Sequence, residues 1–180
     1  SLKRAIRCFI LTCAIRRLRG QTDVHNSMLV HVSRFIRWQQ HIKENIVQVV
    51  LDYYRRGIDF MTTEVIAEIR DTFENDADGY RSYCTTSQQI LDSDLSDIDP
   101  LVAVHNWDDV LAHLHQAASR IQVKDINGGS ADALNYFDHK DGLSVIAVGG
   151  DKLSRGLTLE GLSVSYYLRA SRMYDTLMQM

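Results

Sequence analysis

A mainly parallel α/β sheet covered by helices is the fold class this 180-residue sequence predicts, and three observations predict it. Short apolar runs at 27–33, 121–126, 143–148 and 162–168 read as buried strands, and helical spacing fills much of what separates them. Strands alternating with helices call for crossovers and hence a sheet of parallel strands. Between 57 and 118 the pattern turns acidic and helical, which predicts an inserted lobe.

The elements follow in order. Apolar side chains at Leu2, Ala5, Ile6, Phe9, Ile10, Cys13 and Ala14 recur as on one helix face over 2–19, and Gly20 stops the helix. The run Ser27-Met-Leu-Val-His-Val-Ser33 is short, apolar and flanked by polar residues, as a buried strand requires. Helical spacing resumes over 34–56 with Ile42, Ile46, Val49, Val50 and Tyr53 on one side. One further helix is expected around Val65, Ile66, Ile69 and Phe73, then a polar loop through 92–99. Asn106 can cap a helix starting at Trp107, with Asp108 and Asp109 at the positive end of its dipole. Gly128-Gly129 turns the chain, and 131–136 fits helix and strand equally.

Charge is segregated rather than strong. The net charge is −3, yet the first twenty residues carry six basic side chains and no acid, whereas 59–99 holds eleven acids against Arg70 and Arg81. A basic stripe permits approach of a polyanion, and a solvated helix face explains it as well. Cys8, Cys13 and Cys84 form no CxxC pair, and an odd count without a signal peptide points to a reducing, cytoplasmic setting. The apolar run from Cys8 to Ile15 is too short for a membrane span. The chain ends at Met180 inside a helical run without a cap, which predicts a fragment of a longer protein.

Several chemistries are excluded by spacing. A Walker A loop needs G-x-x-x-x-G-K-[ST], and Gly149-Gly150 with Lys152 and Ser154 has those ingredients in another order. His113 and His115 are two apart on a helix and diverge, and His25 and His31 lack a neighbouring ligand at metal spacing, so no metal site is expected. The 92–99 loop lacks the glycine and terminal glutamate of a calcium hand. His139-Lys-Asp141 is contiguous, unlike the separated residues of phospholipase-type nucleases. Ser33 and Ser154 lack a G-x-S-x-G elbow. What remains is Val145 to Gly161, read as a strand, a glycine-bent polar loop and an adjacent second strand. Arg155 offers a planar donor fork suited to phosphate, and Gly156 lets backbone approach a ligand. Ligands of open α/β sheets gather beyond the strands' carboxyl ends. A structural turn and an anion-binding loop both fit these residues.

Four blocks resemble a known family: Ser27-Met-Leu-Val-His-Val-Ser-Arg34, Val148-Gly-Gly-Asp-Lys-Leu-Ser-Arg-Gly-Leu-Thr-Leu-Glu-Gly-Leu162, Tyr166 to Arg169, and Tyr174-Asp-Thr-Leu-Met-Gln-Met180. The pattern resembles the Z-one domain of bacterial proteins related to superfamily 2 helicases and found beside restriction and repair genes. Family members often carry an endonuclease label that none of these residues explains. The resemblance implies a second RecA-like lobe over 21–180, cut short at its end and interrupted by the insertion at about 57–118, with residues 1–20 a basic helix linking to a missing first lobe. It implies that Ser33, Arg34, Lys152 and Arg155 face DNA phosphates. Gly149, Gly150, Ser154, Arg155, Gly156 and Thr158 would meet nucleotide or phosphate, with Ser154 to Thr158 similar to helicase motif V. Thr158 stands where many relatives carry Asp. Gln179 resembles the glutamine that opens motif VI, whose arginines would follow Met180. ATP and Mg2+ are then cofactors of the intact parent and not of this piece. DNA, the first lobe and a restriction endonuclease or methyltransferase are the implied partners. A non-catalytic scaffold for DNA or a nuclease is the competing reading.

Overall fold

The computed structural model describes residues 1–32, 36–126, 134–150 and 158–168, the side chains of 36–38 excepted. The chain forms two compact units. One comprises Ser1–Ala5, Thr22–Asp52 and Arg120–Met180, the other Ile6–Gln21 and Tyr53–Ser119.

The first unit is α/β. Its strands are β1 (Asn26–His31), β2 (Ile121–Ile126), β3 (Ser144–Gly149) and β4 (Leu162–Tyr167), all paired in parallel in the order β2-β3-β1-β4. β1 and β3 are buried at every position, which is why they read in sequence as continuous apolar runs rather than alternating ones. Leu29, Val145 and Ala147 lie in one core with Ile126, Leu134, Tyr136 and Leu143. The alternate positions Met28, Val30, Ile146 and Val148 are fully buried as well. A helix runs without a break from α2 (Ile36–Ile42) through a π-helical turn (Lys43–Val47) into α3 (Gln48–Asp59). α2 packs beside β3 and the π turn beside β2. There Lys43 Nζ donates to Asp125 Oδ1 at 2.6 Å.

Gly142 is where β3 begins to line up with β1. Its φ is +76°, and a Cβ there would stand 2.6 Å from the Val24 carbonyl oxygen. Only glycine combines that left-handed backbone with so close an approach.

The second unit is helical. It holds α1 (Leu2–Leu18) from Ile6 onward, the end of α3, α4 (Thr63–Glu74), α5 (Tyr83–Leu91) and most of α6 (Trp107–Arg120). α1 ends as expected at Gly20, whose N–H reaches the Arg17 carbonyl while Gln21 N–H reaches that of Arg16, both at 2.9 Å. This is a glycine-dependent Schellman closure, and Gly20 has φ +78°. α5 was not foreseen; Ser82 starts it by accepting the Thr85 N–H at 3.0 Å. The expected cap of α6 is present, with Asn106 Oδ1 accepting the Asp108 N–H at 3.2 Å.

Of the basic side chains over 2–19, read as a solvated or DNA-facing stripe, Arg7, Arg17 and Arg19 bond within this unit. Arg7 Nη1 donates to Glu68 Oε2 at 2.8 Å and to Tyr54 Oη at 2.9 Å, while Nε donates to Thr72 Oγ1 at 2.8 Å. A guanidinium held this far from water needs such partners. Burial, then the hydrogen bond to Glu68, pushes the Tyr54 hydroxyl far above its usual range. Arg17 Nε donates to Gln116 Oε1 at 3.4 Å, and Arg19 donates to Tyr83 Oη at 2.8 Å and to His105 Nε2 at 3.2 Å.

His105 must be neutral to accept from Arg19. Burial and then the Arg19 charge lower its pKa. A histidine whose folded pKa is depressed contributes stability above its unfolded pKa of about 6.5 and loses it as pH falls through the folded value. Urea denaturation between pH 7 and 5 should therefore show declining stability, with a shallower decline in His105→Gln. An equal decline in both proteins would remove His105 from that role.

Candidate functional site

Three parallel strands end together at the carboxyl rim. His31 lies opposite Gly149 on one side and Tyr167 on the other. Val32 N–H donates to the Gly149 carbonyl at 2.8 Å, and Leu168 N–H donates to the His31 carbonyl at 3.0 Å. The His31 ring is buried and tilted 33° against the Tyr167 ring at 5.3 Å. Gly149 and Gly150 are buried. The chain leaving β1 runs on to α2 and returns as β2, beyond β3, while the chain leaving β3 returns as β4, beyond β1. Adjacent strands whose crossovers depart in opposite directions define the switch point at which open α/β sheets form a crevice.

This topology sets side by side the strand ends that precede the two expected segments. Ser33 and Arg34 follow β1, and Lys152, Ser154, Arg155 and Gly156 follow β3, so both segments depart from neighbouring strand ends. Those six residues, with Gln179, lie outside the described residues. The reading of 145–161 as a bend between adjacent strands is corrected. β1 lies between β3 and β4, and a parallel arrangement makes the linking segment a crossover that must travel back along the sheet. β4 is also more exposed than the buried strand expected, with Leu162, Ser163 and Ser165 at the surface.

Thr158 is on the returning limb. It is exposed and lies two residues before Glu160, whose carbonyl is bonded at the opposite rim. Two residues span at most about 7 Å, and a six-residue strand rises about 20 Å. Thr158 is therefore nearer the amino rim than the carboxyl rim on which it was expected.

Sequence reading missed a clasp at that amino rim. Ser27 Oγ donates to the Glu160 carbonyl at 2.7 Å and lies 2.8 Å from Tyr136 Oη. A serine has one proton, so Tyr136 donates to Ser27. Ser27 N–H also donates to the Gly161 carbonyl at 3.0 Å. Beside them the Leu143 N–H donates to His25 Nδ1 at 3.0 Å, and the His25 ring lies 4.7 Å from that of Tyr136. Burial raises the Tyr136 hydroxyl above its usual pKa. No local signal links Ser27 to a tyrosine 109 residues away. The clasp fixes where the crossover re-enters the sheet, and so how far its other end can reach.

Among the described residues no group of three or more His, Cys, Asp or Glu side chains could hold a metal ion, and no helix is long and apolar enough to cross a membrane. His115 Nε2 lies 3.2 Å from Asp59 Oδ1, and His113 Nδ1 lies 2.8 Å from the Asp109 carbonyl oxygen.

Removing the Tyr136 hydroxyl tests the clasp. Tyr136→Phe should cost about 1 kcal/mol and Ser27→Ala, which loses both side-chain bonds, more than that. Chemical denaturation measures both, and wild-type stability in Ser27→Ala would show the clasp to be idle.

Comparison with known proteins gives a family. No curated protein and no solved structure matches the chain. The model of the Z1 domain matches residues 1–180, the whole of the sequence. The chain belongs to the Z1 domain family.

Proposed function

We propose that this chain is the second, RecA-like motor lobe of a DNA-acting ATPase related to superfamily 2 helicases, working in restriction or DNA repair. The observation that carries the reading is the in-register pairing of β1 with β3, which starts the Ser33-Arg34 segment and the Lys152-to-Gly156 segment from adjacent strand ends at a switch point. A motor lobe needs that convergence, because one segment must follow the DNA backbone while its neighbour reports on nucleotide.

Buried Gly149 and Gly150 put main chain without side chains at the end of β3, which suits close approach of an anion. In this reading Arg155 supplies a bidentate fork for phosphate, and Arg34 and Lys152 supply charge along the DNA backbone. ATP with Mg2+ would supply the phosphoryl group and its counter-ion. Among the described residues no group of three or more His, Cys, Asp or Glu side chains could hold a cation. In this reading the metal ligands belong to the first lobe of the parent protein. The role left to this chain is to bind, orient and neutralise charge.

The competing reading, a scaffold that keeps the sheet and has lost turnover, uses the same rim for DNA alone. One experiment separates them. In the intact parent, Arg155→Ala should lower DNA-stimulated ATP hydrolysis at least about tenfold, in the range of lost transition-state donors. Unchanged hydrolysis would defeat the motor reading, and a parent with no hydrolysis but salt-sensitive DNA binding would favour the scaffold.

A further inference from the structure

The helical unit carries a surface that the motor reading leaves unused. Between α5 and α6 the chain makes a series of turns in which apolar and acidic side chains alternate at the surface. Leu95 is 55% exposed, Ile98 74% and Leu101 42%; Leu95 follows exposed Asp94 and Ile98 lies between exposed Asp97 and Asp99. Isolated exposed apolar residues are ordinary, but this many on one short stretch are not.

The stretch is not a loose loop. Ser96 N–H donates to the Ser93 carbonyl, Ile98 N–H to that of Leu95 and Val102 N–H to that of Asp99, at 3.0–3.2 Å. Leu101 N–H donates to Asp99 Oδ1 at 2.9 Å. The Leu95–Ile98 bond closes one turn and keeps those two side chains on neighbouring positions. Exposure here is therefore built by the backbone, and the ordering cost of docking is already met in part.

Charge selects what can cover it. Elsewhere in this unit Glu68 pairs with Arg7 at 2.8 Å and Glu74 with Arg70 at 2.9 Å. Asp92 and Asp99 accept only neutral donors, from Gln88 and from backbone, and none of Asp92, Asp94, Asp97 and Asp99 forms an ion pair among the described residues. Four unneutralised carboxylates within eight positions repel nucleic acid and anionic lipid. A second copy placed face to face would oppose eight. The basic side chains of α1 on another copy are also poor partners, since Arg7, Arg17 and Arg19 already hold internal bonds.

We infer that the turns from Leu91 to Val104 are a docking surface for a cationic amphipathic segment of another protein, one that lays apolar side chains against Leu95 and Ile98 and lysines or arginines against the aspartates. Such a segment matches both halves of the pattern, and a purely basic one matches only half.

The 180-residue chain can be titrated by fluorescence anisotropy with a labelled amphipathic Lys/Leu peptide of about four helical turns, and with a Lys/Ser peptide of equal length and charge. The Lys/Leu peptide should bind at least about tenfold more tightly than the Lys/Ser peptide. Leu95→Ser with Ile98→Ser should remove that advantage, and Asp94→Asn with Asp97→Asn should weaken binding of both peptides and flatten its salt dependence. The Asn pair replaces exposed side chains that cap nothing, so it reports even if the Ser pair unfolds, with circular dichroism as the check. Equal binding of the two peptides, or binding insensitive to the Asn pair, would overturn the proposal. So would sedimentation showing that these turns join two copies of this chain.

Discussion

Strand β1 is the constraint from which the α/β unit follows. It is hydrogen-bonded in parallel on both sides and buried at all six positions, so neither its register nor its direction can slip without exposing apolar surface or orphaning backbone. With β1 fixed between β3 and β4, the chain must pass over it to join them, and the crossovers from β1 and β3 depart in opposite directions. That single arrangement gathers the strand ends His31, Gly149 and Tyr167 at one rim and sends the Ser27, Tyr136 and Glu160 clasp to the other. Position on the sheet, rather than any one side chain, decides which residues can cooperate.

The helical unit uses a different economy. Part of its acidic composition is met from within, by Arg7 threading between Tyr54, Glu68 and Thr72 and by Arg70 on Glu74. Removing one member of such a network leaves a desolvated charge behind, so the group acts as a unit. Phe73 stacks on Tyr83 at 5.7 Å and leans on Trp107 at 5.6 Å, joining α4, α5 and the start of α6. The stretch between α5 and α6 is set apart by exposed Leu95 and Ile98 lying among aspartates that form no ion pair among the described residues.

Much of the fold was legible because burial writes itself into composition. β1 and β3 are continuous apolar runs bounded by polar residues, and Gly20 and Asn106 mark helix ends by their chemistry. α5 was not legible, since its Tyr, Cys, Thr and Ser residues are weak helix formers and Ser87 alone is buried along it. The π turn at 43–47 leaves no compositional trace. β4 read as another core strand, yet an edge position beside β1 leaves several of its side chains exposed. For the candidate site, the sequence placed strands β1 and β3 and misread the connection from β3 to β4. A run of strand, loop and strand looks like a turn when the intervening partner, β1, lies more than a hundred residues upstream. The clasp and the Arg7 network escaped for the same reason, because contacts between residues distant in sequence have no local signature.

The central claim is that the ends of β1 and β3 form one anion-binding rim. It is tested most directly by following backbone amide shifts of the 180-residue chain during titration with a single-stranded oligonucleotide. The account predicts that the largest changes fall on Val32, Gly149, Gly150 and the residues that follow them. Changes centred instead on His25, Tyr136 and Glu160 at the opposite rim, or none at low salt, would contradict it.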